Sequence, residues 1–187
     1  MILDRDGIIN YDYGYVGKVR DFVFIEDNIT SLTNLLPWFT PLIITNQSGI
    51  ARGLYSEEDF FLLTKYMTET LREKYGWPPT ETYHCPHLPT HGYGKYRIEC
   101  QCRKPGSLLF KKAVVNHSIN VKQSITVGDN IRDTAPGVEL GFIENFLLTT
   151  ENYFNSEIAS SISVINNLNE IHKSKTLQSL NLNNLTV

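Results

Sequence analysis

Two aspartates one residue apart, in Asp4-Arg5-Asp6-Gly7, follow a short apolar run at the start of the chain. A carboxylate at the C-terminal mouth of a buried parallel strand can attack phosphorus. A second carboxylate two residues on points to the same side and can handle the leaving group's proton. Taken alone, the tetrapeptide also fits a solvated turn or part of a calcium loop. Chemistry is favoured because the pattern recurs. Residues 41–45 read as a buried strand running into Asn46-Gln47-Ser48-Gly49, and residues 124–127 as another running into Gly128-Asp129-Asn130. In open α/β sheets ligands bind outside the carboxyl ends of the strands, where strand order switches. All three polar clusters fall on that edge.

Asp4 and Asp129 together offer the hard, oxygen-rich pocket that Mg²⁺ accepts, and a cation there would reduce repulsion between a carboxylate nucleophile and a phosphate. Asp133, one helical turn beyond Asp129, fits either this pocket or the first turn of its own helix, whose dipole favours an acid. Thr45 and Lys104, each taken alone, read as a satisfied strand-end hydroxyl and a surface lysine.

The three cysteines, Cys85, Cys100 and Cys102, lie within 18 residues of one another. Their odd number suits a metal site better than a disulfide framework. With His87 they make a set of three thiolates and one imidazole for tetrahedral Zn²⁺, with His84 and His91 as rival ligands. Reduced cysteines beside an unrelated histidine are the alternative. Four protein ligands fill the zinc shell, so such a zinc is structural, and Arg103-Lys104 follow directly on its last ligand.

The elements that must hold these residues alternate. Residues 1–3 form a short first strand. Residues 10–25, with Tyr11, Tyr13, Tyr15, Phe22 and Phe24 spaced by Gly14 and Gly17, suggest an extended flap over the Asp4 strand end. Asn28 can cap a short helix through Leu36, and Ser56 with Asp59 resembles a capping box opening a long helix down to Gly76. A third strand is placed near Tyr83, helices over 108–116 and 131–140, and a last strand over 146–149. This alternation predicts an α/β, Rossmann-like open parallel sheet with helices on both faces. Residues 1–173 read as one domain, and the Asn-, Ser- and Leu-rich residues 174–187 as a weakly ordered or loosely docked tail.

A chain of 187 residues suffices for one full core, and a formal charge of -3 excludes a broad nucleic-acid footprint. No apolar run approaches the roughly 20 residues needed to span a bilayer, and no basic segment precedes an apolar one at the start. The reading is a cytoplasmic monomer with no nucleic-acid or membrane partner.

The order Asp4-Arg5-Asp6-Gly7, Thr45, Lys104, Gly128-Asp129 resembles the four motifs of the haloacid dehalogenase (HAD) superfamily of phosphatases. That likeness implies a HAD fold in which Asp4 is phosphorylated and Asp6 protonates the departing alcohol, then activates water. Thr45 and Lys104 would bind the transferring phosphoryl oxygens. Asp4, Asp129 and the backbone carbonyl of Asp6 would hold Mg²⁺, with Asp133 behind them. The stretch 45–53, together with Asn10, residues 12–16, Cys85-Pro86-His87 and Cys100-Gln101-Cys102-Arg103-Lys104-Pro105, is similar to the zinc-containing D-glycero-D-manno-heptose-1,7-bisphosphate 7-phosphatases. These act in nucleotide-activated heptose synthesis and lack a large cap domain. Their histidinol-phosphate phosphatase relatives share the same motifs. The likeness implies that a phosphorylated sugar meets Asp12, Tyr13, Gly14, Tyr15, Asn46, Gln47, Ser48, Arg103 and Asn130, with Arg103 on a distal phosphate. Three departures stand out. Few residues precede Asp4, which predicts a frayed first strand and fits a mis-called or trimmed start. Pro105 and Gly106 are adjacent where many relatives have two further residues between them, and Asn130 stands where some carry lysine. An inactive zinc-bearing binding module is the alternative from another class.

Overall fold

The computed structural model describes residues 1–149 and 161–184. Six strands, β1 (Ile2–Leu3), β2 (Leu42–Asn46), β3 (Thr82–Cys85), β4 (Ile125–Gly128), β5 (Glu144–Leu148) and β6 (Ile162–Ile165), form one sheet in the order β3-β2-β1-β4-β5-β6. Every pairing is parallel. The chain walks outward from β1 to β3, then returns across the sheet to β4, so order reverses beside β1. The crevice this creates opens at the C-terminal ends of β1, β2 and β4.

The first strand is two residues long but is held on both sides. Ile2 and Leu3 pair with Leu42 and Ile43 of β2 and with Thr126 and Val127 of β4. The Asp4 N–H donates to the Val127 carbonyl at 2.9 Å, and the Leu42 N–H to the Met1 carbonyl at 2.9 Å. Both side chains are buried, and alternation sends them to opposite faces. The fraying expected of so short a strand is therefore absent, because backbone groups on either side of it extend the ladder.

The helices are α1 (Glu26–Thr33), α2 (Ser48–Ala51), α3 (Glu57–Tyr75), α4 (Leu108–Asn116), α5 (Ile131–Leu140) and α6 (Lys175–Asn184). On one face Leu3, Ile43 and Val127 pack with Ile29 and Leu32 of α1 and with Leu63, Met67 and Leu71 of α3. On the other, Ile2, Leu42 and Ile44 pack with Leu109, Phe110 and Ala113 of α4. Helix α3 opens on the anticipated capping box and closes on Gly76. Helix α1 differs from expectation. It starts two residues before Asn28, whose amide instead donates to the Ile8 carbonyl at 3.0 Å and pins the loop after Asp6. Strand β6 was not anticipated. Of residues 174–187, those described after Ser174 form α6, and Leu177 is buried in the larger core.

Residues 10–25 form the flap. Its limbs are tied by Tyr11 N–H to Val23 carbonyl at 3.0 Å and Ile25 N–H to Ile9 carbonyl at 3.0 Å, with a single helical turn at Val19–Asp21. No helix among the described residues is long and apolar enough to cross a membrane.

Candidate active site

A polar cavity of about 390 Å³ sits at the crevice. Asp4 and Asp6 after β1, Thr45, Asn46, Gln47 and Ser48 at the end of β2, and Asp129 and Asp133 after β4 all line it. Asp12, Gly14 and Tyr15 of the flap and Arg103 of the cysteine loop complete the set of anticipated residues that it brings together. Tyr13, Lys104 and Asn130 are not on its wall. Tyr13 is 67% exposed and stacks on Tyr11, and Lys104 lies beneath the cavity floor.

Lys104 is buried, and its ammonium donates to Asp4 Oδ1 at 2.7 Å and to the Ile44 carbonyl at 2.7 Å, with Asp133 Oδ1 at 2.8 Å. Burial alone would lower its pKa, but Asp4 and Asp133 outweigh that and raise it, so the amine stays charged. Asp4 is pushed up to about 7 by burial, with Lys104 opposing and the Asp133 and Asp6 carboxylates reinforcing. Asp129 rises to about 6, again through burial first and then Asp133. One lysine does not neutralise this group of acids.

Asp4, Asp129 and Asp133 can place one carboxylate oxygen each within 4.8 Å of one another. An all-oxygen donor set with unbalanced negative charge fits Mg²⁺. Asp133 also completes the N-terminus of α5, accepting from the Asn130 N–H at 3.1 Å. Asn130 is the other half of that cap, its amide oxygen accepting from the Arg132 N–H at 3.2 Å. Gly7 sets the placement of Asp129: its φ is +81°, and a Cβ there would lie 2.1 Å from Asp129 Oδ2.

Asp6 is held apart from this cluster. Its carboxylate accepts from Arg5 Nε and Nη2 at 3.2 and 2.8 Å, from Asn10 at 3.0 Å, and from Gln47 Nε2 at 2.8 Å. Arg5 is fully buried and also donates to the Val16 carbonyl at 2.6 Å, tying Asp6 to the flap. Sequence reasoning did not single out Arg5. The available signal was its position between two aspartates in a strand end, because a cation buried there needs an anion beside it.

The Asn46 amide is occupied by the backbone of Lys104, donating to its carbonyl at 3.1 Å and accepting from its N–H at 3.0 Å. Arg103 donates to the His87 carbonyl at 3.4 Å while facing the cavity. Arg52 and Arg132 add two further cations to the wall, the former 5.4 Å from the Tyr15 ring centroid.

Cys85, His87, Cys100 and Cys102 converge. Cys102 Sγ lies 3.2 Å from the sulfurs of Cys85 and Cys100 and from His87 Nδ1, and Cys85 lies 3.6 Å from Cys100. Around a tetrahedral zinc with sulfur bonds of about 2.3 Å the sulfurs would stand roughly 3.8 Å apart, so the four groups already converge on a space the size of one ion and need only spread slightly to ligate it. The cluster could hold zinc. The rivals are elsewhere: His84 stacks on Phe60 at 4.2 Å, and His91 bonds Thr90.

No family model matches the chain. It is 40% identical over 151 residues to the D-glycero-beta-D-manno-heptose-1,7-bisphosphate 7-phosphatase of Haemophilus ducreyi, covering 80% of this chain and 82% of that one. The chain belongs to the D-glycero-D-manno-heptose-1,7-bisphosphate 7-phosphatase family. The alpha-anomer enzyme of Photorhabdus laumondii is 38% identical over 172 residues, 91% of this chain and 93% of that one. The crystal structure of the D,D-heptose 1,7-bisphosphate phosphatase of B. bronchiseptica, complexed with magnesium and phosphate, superposes with a TM-score of 0.77 at 24% identity, over 97% of this chain and 98% of that one. The shared fold is the open parallel sheet of HAD-like phosphatases.

Proposed function

We propose that this chain is a Mg²⁺-dependent phosphomonoesterase that removes the 7-phosphate of D-glycero-D-manno-heptose 1,7-bisphosphate, in the supply of nucleotide-activated heptose. The observation that carries the reading is that Asp4 and Asp129 meet on the wall of one polar cavity at the switch in strand order, with Lys104 paired to Asp4 behind it, in a chain of this family. Asp4 is the nucleophile. Its free oxygen attacks phosphorus as the bond to the sugar oxygen breaks, and Asp6 gives that oxygen a proton. Asp6, then a carboxylate, takes a proton from water as it attacks the aspartyl phosphate, and phosphate leaves with Asp4 restored. Thr45 stabilises the phosphoryl oxygens, and Lys104 joins it by exchanging its bond to Asp4 for one to the phosphoryl group Asp4 acquires; most of the rate comes from such positioning and charge compensation.

Asp4, Asp129 and the Asp6 carbonyl would hold Mg²⁺, with Asp133 behind them. The cation supplies charge neutralisation between the carboxylates and the phosphate. Zinc on Cys85, His87, Cys100 and Cys102 is structural, anchoring the loop that delivers Lys104. Arg103 recognises the distal phosphate, and Asp12 to Tyr15 and Ser48 meet the sugar. The chain acts as a single domain, a cytoplasmic monomer with no nucleic-acid partner.

The deciding experiment compares kcat/KM on the alpha and beta heptose bisphosphates and on histidinol phosphate, with Mg²⁺ and with Asp4→Asn as the control. Bisphosphate should be preferred and Asp4→Asn should be inert but folded. Phosphate release by Asp4→Asn at the native rate would overturn the nucleophile, and a preference for histidinol phosphate the substrate.

A further inference from the structure

Gln47 is buried, and both of its amide N–H groups and its amide oxygen have partners. Nε2 donates to Asp6 Oδ2 at 2.8 Å and to Thr45 Oγ1 at 2.8 Å, while Oε1 accepts from the Tyr55 hydroxyl at 2.5 Å. The Tyr55 hydroxyl donates to the amide oxygen, which leaves the amide N–H groups for Asp6 and Thr45. Tyr55 is held just as firmly. Its ring lies against two glycine backbones, Gly17 of the flap and Gly49 of α2, where an added Cβ would come within 2.1 Å of ring atoms in either case. Burial also raises the Tyr55 pKa, which keeps its hydroxyl a donor.

We propose that Tyr55 and Gln47 are positioning residues that aim the Asp6 carboxyl at the leaving-group oxygen. The proposal rests on the phosphatase reading above and deepens it. Without the Tyr55 hydroxyl, Gln47 Oε1 is left buried with no donor, and the amide loses what opposes its rotation. A rotated amide sets oxygen against Asp6 Oδ2. Asp6 Oδ2 then keeps only its bond from Arg5 Nη2 at 2.9 Å, and the carboxyl turns away from the departing oxygen. A sugar alkoxide needs that proton as its bond to phosphorus breaks, whereas 4-nitrophenolate leaves without one.

The test is kcat/KM of Tyr55→Phe on heptose bisphosphate and on 4-nitrophenyl phosphate, with Mg²⁺. The loss on the sugar phosphate should exceed the loss on the activated ester by about tenfold. Gln47→Glu keeps an acceptor for Tyr55 but removes the N–H donor, and should give the same skew; both variants should melt lower, because each leaves a buried polar group poorly matched, but remain folded at the assay temperature. Equal losses on the two esters, or none on either, would overturn the proposal. Wild-type protein inert on both esters would instead overturn the phosphatase reading itself.

Discussion

The side chain of Asn46 closes a two-bond ring on the backbone of Lys104, 58 residues away, accepting from its N–H at 3.0 Å and donating to its carbonyl at 3.1 Å. An end of β2 is thereby clamped to the loop that carries the lysine under Asp4. Asn46 was anticipated as a substrate contact, but its amide is committed to this clamp. Asn46→Ala removes two partly buried bonds of about 1 kcal/mol each. Lys104 should drift from Asp4, and kcat should fall roughly tenfold or more with a smaller change in KM. Steady-state phosphate release checks this, and a rise in KM at constant kcat would return Asn46 to the substrate.

Gly7 and Asp129 are related by contact alone. Any side chain at position 7 must displace the Asp129 carboxylate, and a φ of +81° adds about 1–2 kcal/mol of backbone strain for a non-glycine residue. Gly7→Ala should therefore weaken Mg²⁺ activation about tenfold and lower the melting temperature. A Mg²⁺ titration of phosphate release in the variant checks the first effect, and an unchanged half-activating concentration would refute it.

Much of this site was legible because strand ends announce themselves: Asp4, Thr45 and Asp129 each follow an apolar run, and the topology carries all three to one edge. The close spacing of Cys100 and Cys102, with Cys85 and His87 upstream, was equally readable. What was not readable depends on direction. Arg5 turns into the core and grips Asp6, and Tyr55 reaches Gln47 between two glycines, neither of which a spacing encodes. Strand β6 escaped because Ile162–Ile165 is interrupted by Ser163 and stands among serines and asparagines that read as loop. The start of α1 was misread because Asn28 is a good capping residue that tertiary contact with Ile8 puts to another use.

Lys104 follows the last sulfur of the Cys85, His87, Cys100 and Cys102 cluster by two residues, so the cluster and the lysine that reaches Asp4 share one loop. Cys102→Ser should lower bound zinc from about one per chain toward none and lower the melting temperature by several degrees, as expected when metal binding contributes folding energy. It should also reduce kcat. Metal analysis of the reduced protein with parallel activity assays checks this. Full activity without zinc would separate the loop's geometry from its metal.

Arg103 faces the cavity with a guanidinium able to take a phosphate in two parallel bonds. Arg103→Ala should raise KM for the bisphosphate about tenfold and leave kcat/KM for a monophosphate lacking the distal group nearly unchanged. Equal losses on both would assign Arg103 to the transferring phosphate instead.

The acids at the crevice dictate how magnesium and pH act together. Asp4 at about 7 and Asp129 at about 6 both lie above the ordinary 3.8. Each holds its proton more tightly in the folded chain than in the unfolded one. Between pH 4 and 7 the folded state thus binds more protons, and these two groups make metal-free stability fall as pH rises, opposite to a salt-bridged aspartate with a depressed pKa. Mg²⁺ takes the ionised carboxylates, so its binding releases protons and tightens as pH passes through 6 and 7. The gain in melting temperature from saturating Mg²⁺ should be larger at pH 8 than at pH 5.5, and Asp129→Asn should remove most of that difference. Thermal melts across this range, with and without the metal, make the comparison; an equal gain at both pH values would show that Asp4 and Asp129 are already ionised before the cation arrives.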